Sequence, residues 1–212
     1  MTWISLIGIS LSVFALIATL SVRSGFRAEL VDTILGANAH VTVYKQPSKD
    51  NKGNVYRSFK DYESVNSIIS SLNSVSRAAP LIRGQVMASA NATTTGVDVF
   101  GISPENILSI RRVSDPKTSS GDIKNFSNGL AIGSGVAQAL NVSVGDDIQL
   151  ISPTGVKTAF GNSPRVKTFE VQYIFTAGRY DMDKIRIYMP FKSAQKYFDR
   201  DNLADEIEVL VN

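Results

Sequence analysis

Cysteine is absent from the 212-residue sequence, and histidine occurs once, at position 40. The lack of cysteine excludes disulfide scaffolds, thiolate zinc sites, iron–sulfur ligation and thiol nucleophiles. A single imidazole leaves too few ligands for a histidine metal site, and we interpret His40 as a structural or surface residue. The sequence has no P-loop and no catalytic constellation, so we expect neither an enzyme nor a bound cofactor or metal.

Clustered basic charge is also missing. The chain has 22 Lys and Arg against 19 Asp and Glu, a net charge of +3, and these residues are intermixed. Nucleic-acid-binding domains carry a basic stripe or patch, so no nucleic-acid partner is expected. Charge of either sign is absent from residues 1–22, which separates an uncharged segment from a water-soluble remainder.

The uncharged segment has the length of one membrane span. Residues 3–22 are 20 residues, of which 14 are apolar and the others are Gly, Ser or Thr. A helix of this length covers about 30 Å, the thickness of the hydrocarbon core of a bilayer. The alternative is a cleaved signal peptide, which would need a basic start, a shorter apolar stretch and a small-residue cleavage site. We therefore predict a transmembrane helix.

Small residues recur at intervals of three and four along one face of this predicted helix. They are Ser5, Gly8, Ser12, Ala15 and Thr19. Helices in lipid pack closely through small residues, because lipid tails leave little hydrophobic drive between helices. The spacing favours a helix-packing face in a multi-helix assembly or a dimer, and the alternative is a chance arrangement.

The helical pattern continues beyond the predicted span. Within residues 23–35, Phe26, Leu30 and Ile34 follow at i+4 between polar positions, and Gly36 is a predicted C-cap. We predict an amphipathic stalk that continues the transmembrane helix. Two arginines lie directly after the span, and the positive-inside rule taken alone favours a cytoplasmic location for that side.

The remaining residues show strand and helix patterns in alternation. Strands are predicted at 40–44, 79–90, 95–102, 129–132, 147–152, 168–175, 184–189 and 206–211. Helices are predicted at 61–72, 104–108, 134–140 and 193–198, and loops at 45–60 and 114–128. This order of elements predicts an α+β domain.

Two kinds of short pattern resemble binding motifs. The IGSG run at 132–135 lies between a predicted strand and helix, but Gln138 replaces the third glycine of a dinucleotide-binding motif. We interpret this run as a tight turn with a helix N-cap at Ser134. The acidic pairs lack the alternating ligands of a calcium loop, and we interpret them as solvated turn residues. They are Asp146 with Asp147, Asp181 with Asp183, and Asp199 with Asp201.

Residues 153–166 form the longest predicted connection between two strands. They are 14 residues, whereas hairpin loops usually have two to five. The segment contains Pro153, Pro164, two glycines and the aromatic residue Phe160. A stiffened loop that displays an aromatic residue suits recognition of a protein partner. The alternative is a loop folded back on its own domain, with Phe160 buried.

Several stretches, taken together, resemble one family. They are LSVRSGFRAEL at 20–30, ILG at 34–36, HVTV at 40–43, IGSGVAQAL at 132–140, VGDD at 144–147 and FTAGRYD at 175–181. In this order and spacing they resemble the permeases of lipoprotein-releasing ABC transporters, the LolC/LolE type. The resemblance spans nearly the whole chain.

The resemblance implies a MacB-like periplasmic core preceded by one transmembrane helix. In this α+β fold a βαβ-rich subdomain is interrupted by an inserted, mostly β subdomain. Residues 1–36 would be the transmembrane helix and stalk, 37–112 with 186–212 the first subdomain, and 113–185 the second, with a projecting loop at 153–166. The helix would lie in the bacterial inner membrane and the domain in the periplasm. Three further transmembrane helices would follow, so we expect a longer chain.

The resemblance also implies partners. Such permeases work with a cytoplasmic ATPase subunit, which hydrolyses the ATP, and with a second permease copy or paralogue. They extract outer-membrane lipoproteins from the inner membrane and pass them to a periplasmic carrier chaperone. By position, the chaperone would contact Phe160, Gly161, Pro164 and Arg165. The small-residue face of the helix would line the lipoprotein-binding cavity between permeases.

Two other functions stay open at the level of sequence. A related MacB-like permease would export other cargo or transmit motion, and would not need the tip formed by Phe160 and Pro164. A membrane-anchored periplasmic sensor would need a polar, ligand-sized pocket and a C-terminal output region. Nor does the sequence distinguish a chaperone-docking subunit, a lipoprotein-receiving subunit or a hybrid of both that acts as a homodimer.

Overall fold

A computed structural model describes residues 2–35, 39–49, 55–158 and 161–211. The chain divides into two compact units, Met1–Gly36 and Ala37–Asn212. The first unit is a single α-helix, α1 (Thr2–Leu35), and its segment Thr2–Val31 is long and apolar enough to cross a membrane. The predicted stalk is helical and continuous with the predicted span, whereas the predicted C-cap at Gly36 lies outside the described residues.

The second unit is α+β, as predicted. Its strands are β1 (Val41–Tyr44), β2 (Ser48–Lys49), β3 (Val55–Tyr56), β4 (Val75–Ala90), β5 (Thr93–Ile102), β6 (Ser119–Gly121), β7 (Leu130–Gly133), β8 (Asp147–Thr158), β9 (Gly161–Phe175), β10 (Arg186–Pro190) and β11 (Glu206–Val211). Its helices are α2 (Tyr62–Ser70), α3 (Pro104–Leu108), α4 (Arg111–Ser114), α5 (Ser134–Leu140), α6 (Tyr180–Ile185) and α7 (Phe191–Tyr197), with a 3-10 helix at Ile123–Asn128.

Six of the described strands close into a ring. β4 pairs with β5, β5 with β10, β10 with β7, β7 with β9, β9 with β8, and β8 again with β4. Apolar side chains from all six strands form one buried cluster together with residues of α5 and α7. Because side chains alternate across a strand, this cluster fills the interior of the ring and the intervening residues face outward.

Strand β4 also belongs to a second, smaller sheet. Its first residues pair with β11, which pairs on its other edge with β1. Helix α2 covers this small sheet, where Val65 and Ile69 pack against the buried residues Phe59, Ile207 and Val209. One long strand therefore joins the small sheet to the ring.

Half of the outer wall of the ring is covered by short helices. A second buried cluster joins outward residues of β5, β7, β9 and β10 to residues of α3, α4, α6 and the 3-10 helix. Tyr173 of β9 ties this layer together, since its hydroxyl donates to the carbonyl of Val113 at 2.9 Å. On the wall formed by β4, β8 and the first half of β9, outward side chains such as Met87 and Val166 stay exposed.

The ring mixes the two periplasmic segments that the resemblance implies. β7, β8 and β9 come from residues 113–185, and β4, β5 and β10 come from residues 37–112 and 186–212. Hydrogen bonding between strands therefore joins the two proposed subdomains, through the pairs β10 with β7 and β4 with β8. The division into two subdomains stays a prediction.

The two predicted loops contain more structure than expected. Residues 114–128 hold β6 and the 3-10 helix, and Phe126 of that helix is fully buried. Residues 45–60 include the paired strands β2 and β3, and the amide of Phe59 donates to the carbonyl of Ala204 at 2.6 Å. Both loop predictions are wrong for one reason, since a single buried aromatic residue anchors a polar segment without leaving any periodic pattern.

Candidate functional site

The candidate site is a two-stranded ribbon at the ends of β8 and β9. Within the ring, β8 pairs with β4 as far as Ile151, and β9 pairs with β7 from Val171 onward. Beyond Ile151, the described residues 152–158 of β8 pair only with residues 161–165 of β9. We call these two stretches the ribbon. It extends the hairpin beyond the last strand that supports β8.

A bulge divides the ribbon into a base and a tip. Ser152 pairs with Arg165 and Val156 pairs with Ser163, so three residues of β8 lie opposite Pro164 alone. Pro153 also lies in this interruption, where the missing N–H of proline breaks no ladder hydrogen bond. A Cβ atom on Gly155 would lie 1.5 Å from the carbonyl oxygen of Ser163, so the bulge needs glycine there.

The prediction of a 14-residue loop at 153–166 is therefore wrong. β8 extends to Thr158 and β9 begins at Gly161. Two prolines and two glycines resemble a loop in sequence, but here Pro153, Gly155 and Pro164 lie at the bulge and Gly161 begins β9. Phe160, the predicted tip residue, lies outside the described residues.

The other predicted contact residues occupy different positions along β9. Gly161 is the first residue of β9 and pairs with Thr158. Pro164 is exposed at the bulge, whereas Arg165 is half-buried at the base. The structure thus brings Gly161, Pro164 and Arg165 onto one strand of the ribbon, with Arg165 farthest from the tip.

Arg165 fastens the base of the ribbon to α7. Its Nη1 atom donates to the carbonyl of Lys196 at 3.2 Å and to the carbonyl of Tyr197. The last carbonyls of a helix have no partner inside the helix, and a cation there is favoured by the helix dipole. Part of the Arg165 guanidinium is therefore engaged within its own domain.

Aromatic rings pack around the same contact. The ring of Tyr197 lies edge-on to Phe169 of β9 at 5.8 Å and to Phe198 at 4.9 Å, measured between centroids. Tyr197 is 2% exposed, and burial raises the pKa of its hydroxyl to about 12, against the lowering effect of Arg165. The phenol is therefore neutral near pH 7, and Tyr197 serves packing.

The small-residue face lies on the described helix α1. The hydroxyl of Ser12 donates to the carbonyl of Gly8 at 2.9 Å, and that of Thr19 donates to the carbonyl of Ala15 at 2.8 Å. Such bonds to the preceding turn satisfy a hydroxyl within its own helix. These two hydroxyl donors are thus satisfied without a partner helix, and the face stays small.

The IGSG run is a tight turn into α5, but its cap is not the predicted one. The N-cap is Gly133, and Ser134 is the first helical residue. A Cβ atom on Gly133 would lie 2.2 Å from the carbonyl oxygen of Asp183, and one on Gly135 would lie 2.9 Å from the Cα of Lys184. Both glycines therefore allow the start of α5 to pack closely against α6.

Asp183 is a structural residue and not the solvated turn residue that was predicted. It is buried, and its carboxylate accepts from the amide of Ala177 at 2.7 Å and from the amide of Gly178 at 3.2 Å. It thereby fixes the turn between β9 and α6. The DMD sequence does not indicate which of its two aspartates accepts these amides.

Asp205 is a structural residue that sequence reasoning missed. Its carboxylate accepts from the hydroxyl of Ser58 at 2.8 Å and from the amide of Arg83 at 2.9 Å, and it pairs with Arg200. These partners come from three separate segments, which explains why no local motif marks Asp205. His40 is exposed and its Nδ1 accepts from the amide of Val211, which confirms the structural or surface interpretation.

The described residues contain no metal-binding cluster and one open polar cleft of note. Among them, no three His, Cys, Asp or Glu side chains lie close enough to hold a metal ion. An open polar cleft of about 490 Å³ lies beside Asn91, Asp147 and Thr168. Asn91 is already engaged there, since its Nδ2 donates to the carbonyl of Asn141 at 2.8 Å.

Comparison with known proteins identifies the family. The model of the MacB-like periplasmic core domain matches residues 2–212. The chain belongs to this family. This membership confirms the MacB-like core that the resemblance to LolC/LolE permeases implies.

Curated relatives of this MacB-like chain are lipoprotein-releasing system transmembrane proteins LolC. The protein from Neisseria meningitidis serogroup B is 28% identical over 185 residues, which cover 86% of this chain and 42% of the relative. A protein from Xylella fastidiosa is 27% identical over 202 residues, covering 94% of this chain and 46% of the relative. The resemblance to LolC/LolE permeases is thereby confirmed, and the chain spans less than half the length of these relatives.

Two solved structures share the fold. The extracellular domain of the noncanonic ABC-type transporter YknZ from Gram-positive bacteria has a TM-score of 0.50 and 16% identity, covering 81% of this chain and 84% of that one. The periplasmic region of MacB from Actinobacillus actinomycetemcomitans has a TM-score of 0.51 and 9% identity, covering 81% and 73%. At these identities the likeness concerns the fold alone.

Proposed function

We propose that the chain is the N-terminal helix and periplasmic core domain of an ABC transporter permease that releases lipoproteins from the bacterial inner membrane. In this proposal the domain hands the lipoprotein to a periplasmic carrier chaperone. It binds and transmits force, and a separate cytoplasmic ATPase subunit hydrolyses ATP. A second permease copy or paralogue completes the membrane assembly.

The observation that carries the proposal is the ribbon, in a chain whose relatives include LolC proteins. It extends beyond the ring and pairs, among the described residues, only with itself. An extended hairpin of this kind presents the residues near its end to a partner. We place the chaperone contacts at Phe160, Gly161 and Pro164, with Arg165 at the base.

The helix α1 has a separate part in the proposal. Its small-residue face would line the lipoprotein-binding cavity by close packing against helices of the permease assembly. Support comes from the apolar, uncharged span and from the hydroxyls of Ser12 and Thr19, which are satisfied inside α1. The periplasmic side of the membrane is proposed for the second unit on the basis of its family.

A MacB-like export or mechanotransmission permease is the second candidate. It is favoured by the fold likeness to the periplasmic region of MacB, which is as close as the likeness to YknZ. In that case the ribbon would contact another component of an export assembly, and the lipoprotein carrier would not bind.

Binding of the carrier tests the proposal. The full chain in lipid nanodiscs is titrated with the periplasmic lipoprotein carrier of the same bacterium, as wild type and as Phe160→Ala. Removal of an aromatic contact at a hot spot is expected to weaken the affinity at least tenfold, or about 1.4 kcal/mol. Tyr180→Ala is the matched control, because Tyr180 is an exposed aromatic residue on α6, away from the ribbon.

Each result assigns the function differently. Binding that Phe160→Ala weakens and Tyr180→Ala preserves supports lipoprotein handover through the ribbon. Binding that both variants preserve supports the handover and contradicts the proposed contact residues. A wild-type chain that does not bind the carrier contradicts the handover and favours the MacB-like export candidate.

A further inference from the structure

In the described part of the chain, the ribbon has no neighbouring strand to support it beyond Ser152 and Arg165. An isolated two-stranded ribbon is marginally stable in water, so a free ribbon would sample many directions. Beyond the ring, the described residues 152–158 and 161–165 receive no third strand. A contact outside the strand ladder would therefore limit the directions that the ribbon takes relative to the ring.

Arg165 has the contacts required for this task. It pairs with Ser152, which is the last residue of β8 before the bulge and is itself buried. From that position its guanidinium reaches two consecutive carbonyls, those of Lys196 and Tyr197, at the end of α7. Bonds from a charged donor are about twice as strong as neutral ones.

The body to which Arg165 is bound is firmly packed. Helix α7 lies against the ring, where Ala194 and Phe191 belong to the interior cluster. Tyr197 contacts Phe169, which lies four residues farther along β9 than Arg165, so the same strand touches α7 twice. The contact therefore fixes both the position and the direction of the strand.

The neighbouring cation shows a different arrangement. Lys167 is exposed, and its Nζ lies over the ring of Phe169 at 5.0 Å from the centroid. It carries the same charge as Arg165 two residues farther along β9. Replacement of Lys167 by methionine therefore removes a positive charge close to the ribbon without removing a bond to α7.

We infer that Arg165 is a positioning residue, which holds the ribbon in its binding direction through α7 and does not itself contact the partner. This inference rests on the proposed function, because it assigns Arg165 a role within that docking element. Without the bond only a fraction of the molecules would present the ribbon correctly, and the apparent affinity would fall by that fraction.

Hydrogen exchange tests the clamp without any partner. In the full chain in nanodiscs, Arg165→Met is expected to speed amide exchange in residues 156–158 by roughly tenfold, since a charged hydrogen bond is lost. Amides of β11, which lie in the small sheet, should keep their wild-type rates. Lys167→Met should leave both regions unchanged, and Arg165→Lys should restore part of the protection.

Carrier binding then tests the role of the clamp in docking. With the same carrier as above, Arg165→Met should slow association several-fold and change dissociation little, because the bound ribbon still makes its tip contacts. Lys167→Met should bind as the wild type does. Faster dissociation of Arg165→Met with normal exchange would instead show a direct contact and overturn the inference.

The remaining outcomes separate the clamp from the proposed function. Unchanged exchange in Arg165→Met overturns the clamp, whatever the carrier does. Faster exchange throughout β11 as well would show a general loss of stability and also overturn it. A wild-type chain that binds no carrier overturns the proposed function, and the docking role of Arg165 with it, even where the ribbon exchange behaves as expected.

Discussion

The turn between β4 and β5 contains two residues with left-handed backbone angles. They are Asn91 and Ala92, with φ angles of 49° and 59°. Two-residue hairpin turns with positive φ at both positions favour glycine at the second position. Alanine there places a Cβ atom in a conformation that L-residues rarely adopt, so Ala92 destabilises its own turn.

Ala92→Gly is therefore expected to stabilise the protein. The relief of the left-handed strain exceeds the added chain entropy of glycine, and we expect a gain of about 0.5–1 kcal/mol in the free energy of unfolding. The same replacement at Ala139, inside α5, should instead lower it by roughly 1 kcal/mol. Urea unfolding of the detergent-solubilised chain, followed by circular dichroism, measures both changes. A loss of stability in Ala92→Gly contradicts the turn geometry.

Close approach between elements depends on where glycine lies. A Cβ atom on Gly101 of β5 would lie 2.3 Å from the Cβ of Ala194 on α7 and 3.1 Å from that of Ile82 on β4. Gly96 lies on the same strand with no heavy atom within 4 Å of such a Cβ. Helix α7 can thus pack against β5 only because position 101 is glycine, whereas a Cβ atom at position 96 would meet nothing.

Gly101→Ala is expected to push α7 away from the ring. Overpacking of a filled core lowers stability by about 1–3 kcal/mol, and we expect a loss in that range from the unfolding curve. Gly96→Ala is the control on the same strand, and it should be neutral or gain up to about 0.5 kcal/mol. Equal losses in the two variants would show that strand propensity, and not the contact with α7, determines the effect.

The elements themselves were largely predictable. Helix α5 matches the prediction at 134–140, α3 matches 104–108 and β11 matches 206–211. The sequence predicts a loop for the ribbon because the segment contains two prolines and two glycines. In the structure most of these residues lie at a bulge inside a hairpin. For the candidate site, the sequence predicts the segment 153–166 and its contact with a partner. It does not predict the bond from Arg165 to α7.

At the scale of the whole molecule, the helix α1 and the α+β domain differ in how their apolar residues are placed. The apolar side chains of α1 are exposed, for example Phe14 at 71% and Trp3 at 77%, which is the arrangement that a lipid environment favours. A Cβ atom on Gly8 would meet nothing within 4 Å. A larger residue there therefore disturbs no contact within α1, and it reports on packing against other helices.

Gly8→Ile is expected to weaken association between chains in a bilayer. Bulk on the small-residue face prevents close approach of two helices, and we expect association to fall about tenfold, or 1.4 kcal/mol. Ser10→Ile is the control, because Ser10 lies roughly 200° around the helix from Gly8. Energy transfer between labelled chains in vesicles measures the association. Equal effects of both variants, or no association of the wild type, would contradict a dimer formed through this face.

Local patterns of the sequence determined the long apolar helix, the α+β class and most element boundaries, because apolar periodicity and turn residues act over a few positions. The tertiary structure decided which strands close the ring, that β4 belongs to two sheets, and which groups the carboxylate of Asp205 binds. These features depend on contacts between residues far apart in the chain, such as Ser58 with Asp205. No local pattern encodes them, since they arise only when segments far apart in the chain pack against one another in the interior.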